Sequence, residues 1–336
     1  MSFYIFLFVA LYFTTYHKNK NYTIIYLVIN IIFGGSSVDY LGESFAFITA
    51  VSWAVSSIIF EAATKKSDSK SVNVIRLFYG IIFLGIITFF TKGLFIPSDA
   101  GRINWTFLGI SGIIGLFFGD MFLYEAYFLI GARLSMLFLT MTPLIVGFFG
   151  FLFLGEKLTP LQIAAMFITC SGILMVTIKP KNKNQTENTN GRKLTPKGLL
   201  FIILAVTLEA LGNIFTKVGA RNYDAGASTQ IRMICALFVF LFYLTFTKRW
   251  GKVINTAKDI KTSSLIFAGT VVSTLGITFL VAAFNRINTG VASTISSMSP
   301  VIIIPISVLV FKEKVKFKEI LGAVISVLGI AIFFLK

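Results

Sequence analysis

The chain has 336 residues, of which 56% are hydrophobic and only 13% charged, with a mean hydropathy of +0.85. A water-soluble domain cannot hide that much apolar sequence, so composition alone places the protein in a bilayer. The formal charge of +16 would point to nucleic acid in a soluble domain, but here Lys and Arg cluster between apolar runs, where they set orientation against anionic lipid. The expected partner is therefore the lipid bilayer, with no nucleic acid.

Apolar runs of about 20 residues, the length that crosses a bilayer core as helix, recur throughout. Membrane β-strands would alternate apolar and polar over roughly ten residues, and these runs are apolar on every side. The fold class is an all-α membrane bundle. Residues 1–41 read as an extra N-terminal hydrophobic part: Met1 to Tyr16, then HKNKN, then Tyr22 to Phe33. This part is one or two further spans, or a signal-like segment that lacks a basic start and a cleavage site. A third reading is translated upstream sequence, since Gly34-Gly35 would be encoded by a purine-rich run resembling a ribosome-binding site shortly before Val38.

From Gly42 the pattern becomes regular. Spans are expected at about 43–63, 73–91, 106–128, 133–154 and 160–178, then 198–219, 227–247, 262–284, 289–311 and 317–335. Residues 179–196 form a polar linker without periodicity. The two sets of five repeat each other: Met141, Pro143, Glu156, Lys157 and Gly172 fall on Met298, Pro300, Glu313, Lys314 and Gly329, all 157 residues later. Upstream, Arg76 matches Arg232 at an offset of 156. The expectation is a duplication, with a first five-helix repeat at 42–178 and a second at 197–336. Because five is odd, the second set crosses in the opposite sense, as in the inverted repeats of secondary transporters.

The stretch GESFAFITAVSWAVSSIIF in the first span, an Arg early in the second, Pro in the fourth and ninth, and GEKLTPLQIAAMFITCSGI resemble the EamA-type members of the drug/metabolite transporter superfamily. The resemblance covers about 42–335 and implies a ten-helix transporter. Lys312 departs from it, standing where the first copy has Gly155. Orientation has two readings. The loops after spans 1, 3, 5, 7 and 9 hold most of the Lys and Arg, which puts them in the cytoplasm, whereas the family resemblance implies both core ends inside.

Ionisable groups within spans are costly, so each is a candidate for function. Glu209, Asn213, Thr216 and Lys217 share one face of the sixth span, and Trp53, Ser57 and Glu61 repeat that spacing in the first. In the third span Asp120 and Glu125 flank Tyr124, while their repeat counterparts are Ile277 and Ala282. A carboxylate in a membrane cavity can alternate between protonated and ionised as the cavity changes sides, which couples protons to a solute. Arg76 and Arg232 are candidates for attracting anionic groups, pairing with the acids, or anchoring the helices. Pro143 and Pro300 are expected to break their spans and serve as hinges. Glu156-Lys157 and Glu313-Lys314 read as markers of span boundaries.

No catalytic, metal or cofactor site is expected. Cys170 and Cys235 lie in apolar runs without metal spacing, and His17 stands outside the regular core. Phe118-Gly119-Asp120 carries only part of an intramembrane aspartyl protease motif, and HExxH, GxSxG and P-loop patterns are missing. The expected function is a secondary active transporter in the plasma membrane, exporting a small metabolite or amino acid in exchange for protons by alternating access. Alternatives are an uncoupled facilitator and a non-transporting scaffold or lipid-interacting protein.

Overall fold

A computed structural model describes residues 40–64, 66–130, 138–139, 141–177, 195–299, 301–302 and 317–333. The N-terminal segment, most of the linker, and Pro300 lie outside these described residues. The chain separates into two units, 1–40 and 41–336, and the description below concerns the second.

All regular structure among the described residues is helical. The first half contributes α1 (Leu41–Thr64), α2 (Ser69–Lys92), α3 (Arg102–Ser111), a π-helical segment (Gly112–Gly119) running into α4 (Asp120–Ile130), α5 (Thr142–Leu154) and α6 (Pro160–Thr177). The second contributes α7 (Pro196–Gly219), α8 (Ala225–Thr247), α9 (Trp250–Lys258), α10 (Ile260–Phe284), α11 (Thr289–Ser296) and α12 (Phe317–Phe333). Among the described residues six helices are long and apolar enough to cross a membrane: α1, α2, α3 with its π continuation, α7, α8 and α10.

Local chemistry repeats with the sequence. Asp68 caps α2 by accepting from Ser71 N at 3.3 Å, and Asp224, 156 residues on, caps α8 by accepting from Ala227 N at 2.6 Å. The helices where the fourth and ninth spans are expected are both interrupted, and at matched methionines. Met141 N donates to Phe138 O (2.9 Å), and Leu144 and Ile145 donate to Met141 O. Correspondingly, Met298 N donates to Ile295 O (3.2 Å), and Val301 and Ile302 donate to Met298 O. Pro143 therefore stands in the first turn of α5, where its missing N–H leaves no bond unmade, rather than in the middle of a continuous helix.

Packing exchanges the halves. α1 lies along α10 as α7 lies along α3, the π segment and α4; α2 meets α8, and α6 meets α12. In lipid, helices gain little by hiding apolar surface from one another, so association depends on close approach of small residues. The α6–α12 contact is built this way. A Cβ on Gly172 would lie 2.4 Å from Ser326 Oγ, and one on Gly329 would lie 2.4 Å from Thr169 Oγ1. The two contacts are each other's repeat equivalents, Ser326 being 157 residues after Thr169.

Gly172→Val should therefore lower the melting temperature in detergent strongly, since even tolerated overpacking costs about 1–3 kcal/mol. Gly251→Ala, on α9 with nothing within 4 Å, should leave it unchanged or raise it slightly, alanine being the better helix former.

Candidate functional site

The capped start of α2 places Lys70, Asn73 and Arg76 at successive turns, on the side facing α4. Asp120, the first residue of α4, receives Arg76 Nη2 at 3.3 Å and Asn73 Nδ2 at 3.2 Å on the same carboxylate oxygen. One turn further, Lys70 Nζ lies 3.6 Å from Glu125 Oε1 and donates to Tyr243 OH at 3.4 Å. A small pocket between α2, α4 and α8 is lined by Lys70, Asn73, Met121, Phe240 and Tyr243. Exposure grades along this row: the Arg76 and Asp120 side chains are 19% and 25% exposed, while Glu125 reaches 44%. Glu125 thus sits at the mouth and Asp120 deeper.

Behind Asp120 stand two further charges from the other half. Glu209 on α7 lies beside Gly119, which precedes Asp120, and Arg232 Nη2 on α8 lies 4.0 Å from the notional Cβ of Gly115 in the π segment. Arg232 is only 4% exposed. Glu209 reaches this place because its helix packs against Gly119, whose added Cβ would lie 3.8 Å from Glu209 N. The repeat equivalent is Trp53, whose helix packs against Gly276, with ring carbon Cδ1 3.1 Å from that glycine's notional Cβ. The Glu209 and Trp53 positions are therefore symmetric in the fold as well as in the sequence, but one carries charge and the other an aromatic ring.

Three buried polar atoms in this cluster have no hydrogen-bond partner among the described residues: Asn73 Oδ1, Arg76 Nε and Arg232 Nε. The orientation of the Asn73 amide follows from chemistry, because only its NH2 end can donate to the Asp120 carboxylate. Its oxygen is left as a bare acceptor on a side chain 2% exposed that lines the pocket. Asn73 was not among the residues singled out from the sequence. A polar side chain one turn before a span arginine was the available signal.

Other predicted residues lie elsewhere. Ser57 is exposed and donates to Ala54 O of its own helix at 2.8 Å. Asn213 is buried on α7, and Thr216 bonds Ser111 Oγ at 2.6 Å, tying α7 to α3. Tyr124 is on α4 and its side chain lies outside the described residues, as does Pro300.

Lys217 belongs to a second cluster, centred on Glu156. Gly155 closes α5 at φ 66°, a left-handed conformation that favours glycine. The turn brings Glu156 N to Gly150 O at 3.1 Å. The Glu156 side chain, 8% exposed, pairs with Lys217 Nζ. Its other oxygen accepts Thr289 N and Oγ1, both at 2.8 Å, at the start of α11. Lys217 also donates to Ile287 O at 2.9 Å. Glu156 thus joins three segments at the boundary where α5 ends. On the same side Asn104 donates to Gly219 O (2.7 Å), Asn285 to Ala220 O (3.0 Å) and Tyr223 OH to Asp99 (2.7 Å). Partial burial of Asp99 opposes its ionisation, but the bonds from Tyr223 and Lys92 outweigh this and hold its carboxyl below the usual range.

With this geometry in hand, known proteins place the chain. The signature of the EamA-like transporter family matches residues 40–178 and again 196–335. The chain belongs to the EamA-like transporter family. A relative in Bacillus subtilis (strain 168), Uncharacterized transporter YetK, is 24% identical over 232 residues, spanning 68% of this chain and 67% of that protein. A crystal structure described only as that of a protein superposes with a TM-score of 0.67 at 14% identity, covering 88% of this chain and 96% of the other. This EamA-like chain is thus a multi-pass membrane transporter, with a bilayer around it and a small molecule as substrate. Family and relative point to transport rather than catalysis.

Removing one partner of a largely buried ion pair leaves the other charge uncompensated, at about 3–5 kcal/mol. Asp120→Ala should lower thermal stability by that order, and Asp120→Asn combined with Arg76→Gln by much less; melting of the purified variants reads the difference. Glu156→Ala should cost about 1–3 kcal/mol by the same measurement, since it strands Lys217 and uncaps α11.

Proposed function

We propose that the protein is a proton-coupled secondary transporter of the plasma membrane, exporting a small metabolite or amino acid by alternating access. In this reading ten spans form two inverted five-helix halves, 42–178 and 197–336, joined by the linker 179–196. The carrying observation is the cluster where the halves meet: Asn73, Arg76 and Asp120 from one side, Glu209 and Arg232 from the other. Paired acids and bases of both signs, with a bare buried acceptor and two bare donors, suit a solute that carries both a hydrogen-bonding cation and an anion.

Asp120 on α4 and Glu209 on α7 are the two carboxylates of this cluster, and in this reading the transported proton resides on one or the other. Arg76 and Arg232 hold whichever is ionised. Entry of a cationic solute group would replace the proton, and its departure would restore it. The stitched side, with Glu156–Lys217 and its neighbours, supports closure there, while the Lys70–Glu125–Tyr243 side supports access. The matched interruptions at Met141 and Met298 supply discontinuous helices of the kind that line transporter cavities. Pro143 and Pro300, next to them in the sequence, serve as hinges, and Trp53 and Tyr124 belong to the transport pathway.

Flux into vesicles tests the reading. Solute movement driven by an imposed pH gradient supports it; gradient-independent movement leaves an uncoupled facilitator, and no movement of any solute overturns transport by this route. Growth resistance to inhibitory amino acids and analogues selects the solute to try. Glu209→Gln is expected to abolish gradient dependence while leaving exchange measurable. Asn73→Ala is expected to raise KM about tenfold, the equivalent of one hydrogen bond.

A further inference from the structure

The helix α9 lacks a counterpart in the first half. At the equivalent place, between α2 and α3, residues 93–101 are not helical, and Lys92 there pairs with Asp99 at 3.1 Å. Residues 248–261 instead carry five cations, Lys248, Arg249, Lys252, Lys258 and Lys261, against one acid, Asp259. That carboxylate is occupied as the cap of α10, accepting Lys261 N at 3.3 Å and the Thr262 hydroxyl.

α9 joins Thr247, the end of one candidate span, to Ile260, the start of the next. Connectivity therefore puts it at one membrane surface. At 100° per residue it has three faces. Val253 and Thr256, 9% and 7% exposed, face the protein, where α9 packs on α2 and α10. Trp250 and Ile254, one turn apart and 40% and 46% exposed, form an apolar face turned away from it. Lys252 and Lys258 fill the remaining, exposed face. Phe246 and Ile260, at the adjoining span ends, are apolar and exposed as well, at 78% and 82%. The Trp250 indole N–H is satisfied by Thr245 Oγ1 at 3.2 Å, so its ring can lie among lipids without a stranded donor.

One face to protein, one to hydrocarbon and one charged to water is the arrangement of a helix lying in the headgroup plane. We infer that α9 docks on anionic phospholipid headgroups of its leaflet, with Trp250 and Ile254 at the acyl boundary and Lys252, Lys258 and Lys261 on the phosphates. The inference is independent of which solute is carried and of which side of the membrane this face occupies. It also reaches the candidate site: the hydroxyl of Thr256, on the protein face, bonds Ser67 Oγ at 2.5 Å, three residues before Lys70. A docked α9 thereby holds the α1–α2 connection beside the pocket mouth.

The test uses the full chain in bilayers of phosphatidylcholine with one third phosphatidylglycerol, either lipid brominated on its acyl chains. The fluorescence of Trp250, taken as wild type minus Trp250→Phe, should be quenched more by brominated phosphatidylglycerol than by brominated phosphatidylcholine at equal mole fraction of brominated lipid. Lys252→Gln with Lys258→Gln and Lys261→Gln should erase the preference, each lysine contributing about fivefold in affinity; the single variants should show graded loss and serve if the triple variant does not fold. Equal quenching by the two lipids, no quenching by either, or a preference surviving in the lysine variants would overturn the inference.

Discussion

Close backbone approach between the two halves is the constraint on which the remaining structure rests. A bilayer offers no hydrophobic reward for pressing two apolar helices together, so the bundle is held by van der Waals fit and a few polar contacts. Gly172 and Gly329 let α6 and α12 meet with no room for a side-chain carbon at either place. The same device recurs where Gly219 admits Leu108 of α3 and Gly276 admits α1. Because these contacts run between halves, neither half completes its packing alone.

The charged cluster depends on that approach. Arg76, Asp120, Glu209 and Arg232 come from α2, α4, α7 and α8, and none would be tolerated in a bilayer without the others. The Arg76–Asp120 pair shows how such groups persist within spans. It also explains why Asn73 is held with its oxygen bare: its amide nitrogen is committed to Asp120. A cluster that is incompletely satisfied in a packed interior is a place for a ligand or for a change of partners.

The carboxylates of the cluster sit where the repeat fails. Symmetry governs caps, helix interruptions and glycine contacts, which are matters of folding. Asp120 against Ile277, Glu209 against Trp53, Glu125 against Ala282, and α9 against a short non-helical turn are departures that packing does not require. The first three put carboxylates in a single half-site. The fourth puts a basic amphipathic helix at a single membrane face.

Much of this was legible in the residues themselves. Run length and apolarity dictate a helical membrane bundle because backbone polar groups in lipid must be satisfied within each segment. The duplication showed as residues recurring at a constant offset, and the EamA-like character as motifs in both copies. Periodicity is local, however, and could not say which distant groups would meet. Asp120 lies 44 residues from Arg76, and Glu156 lies 61 residues from Lys217; their contact follows from how helices stack. The turn at Glu156 read as a span boundary, and only the fold showed that the start of α11 closes over it. α9 looked like a basic loop, since nine residues are too few for a strong pattern, until Val253 and Thr256 turned inward and fixed its three faces. By itself the sequence determined the environment, the helical class, the repeat and the ionisable candidates, all properties of single segments. Only the tertiary structure decided which charges pair, which polar atoms stay bare and which side of α9 meets the lipid, because those depend on packing between segments far apart in the chain.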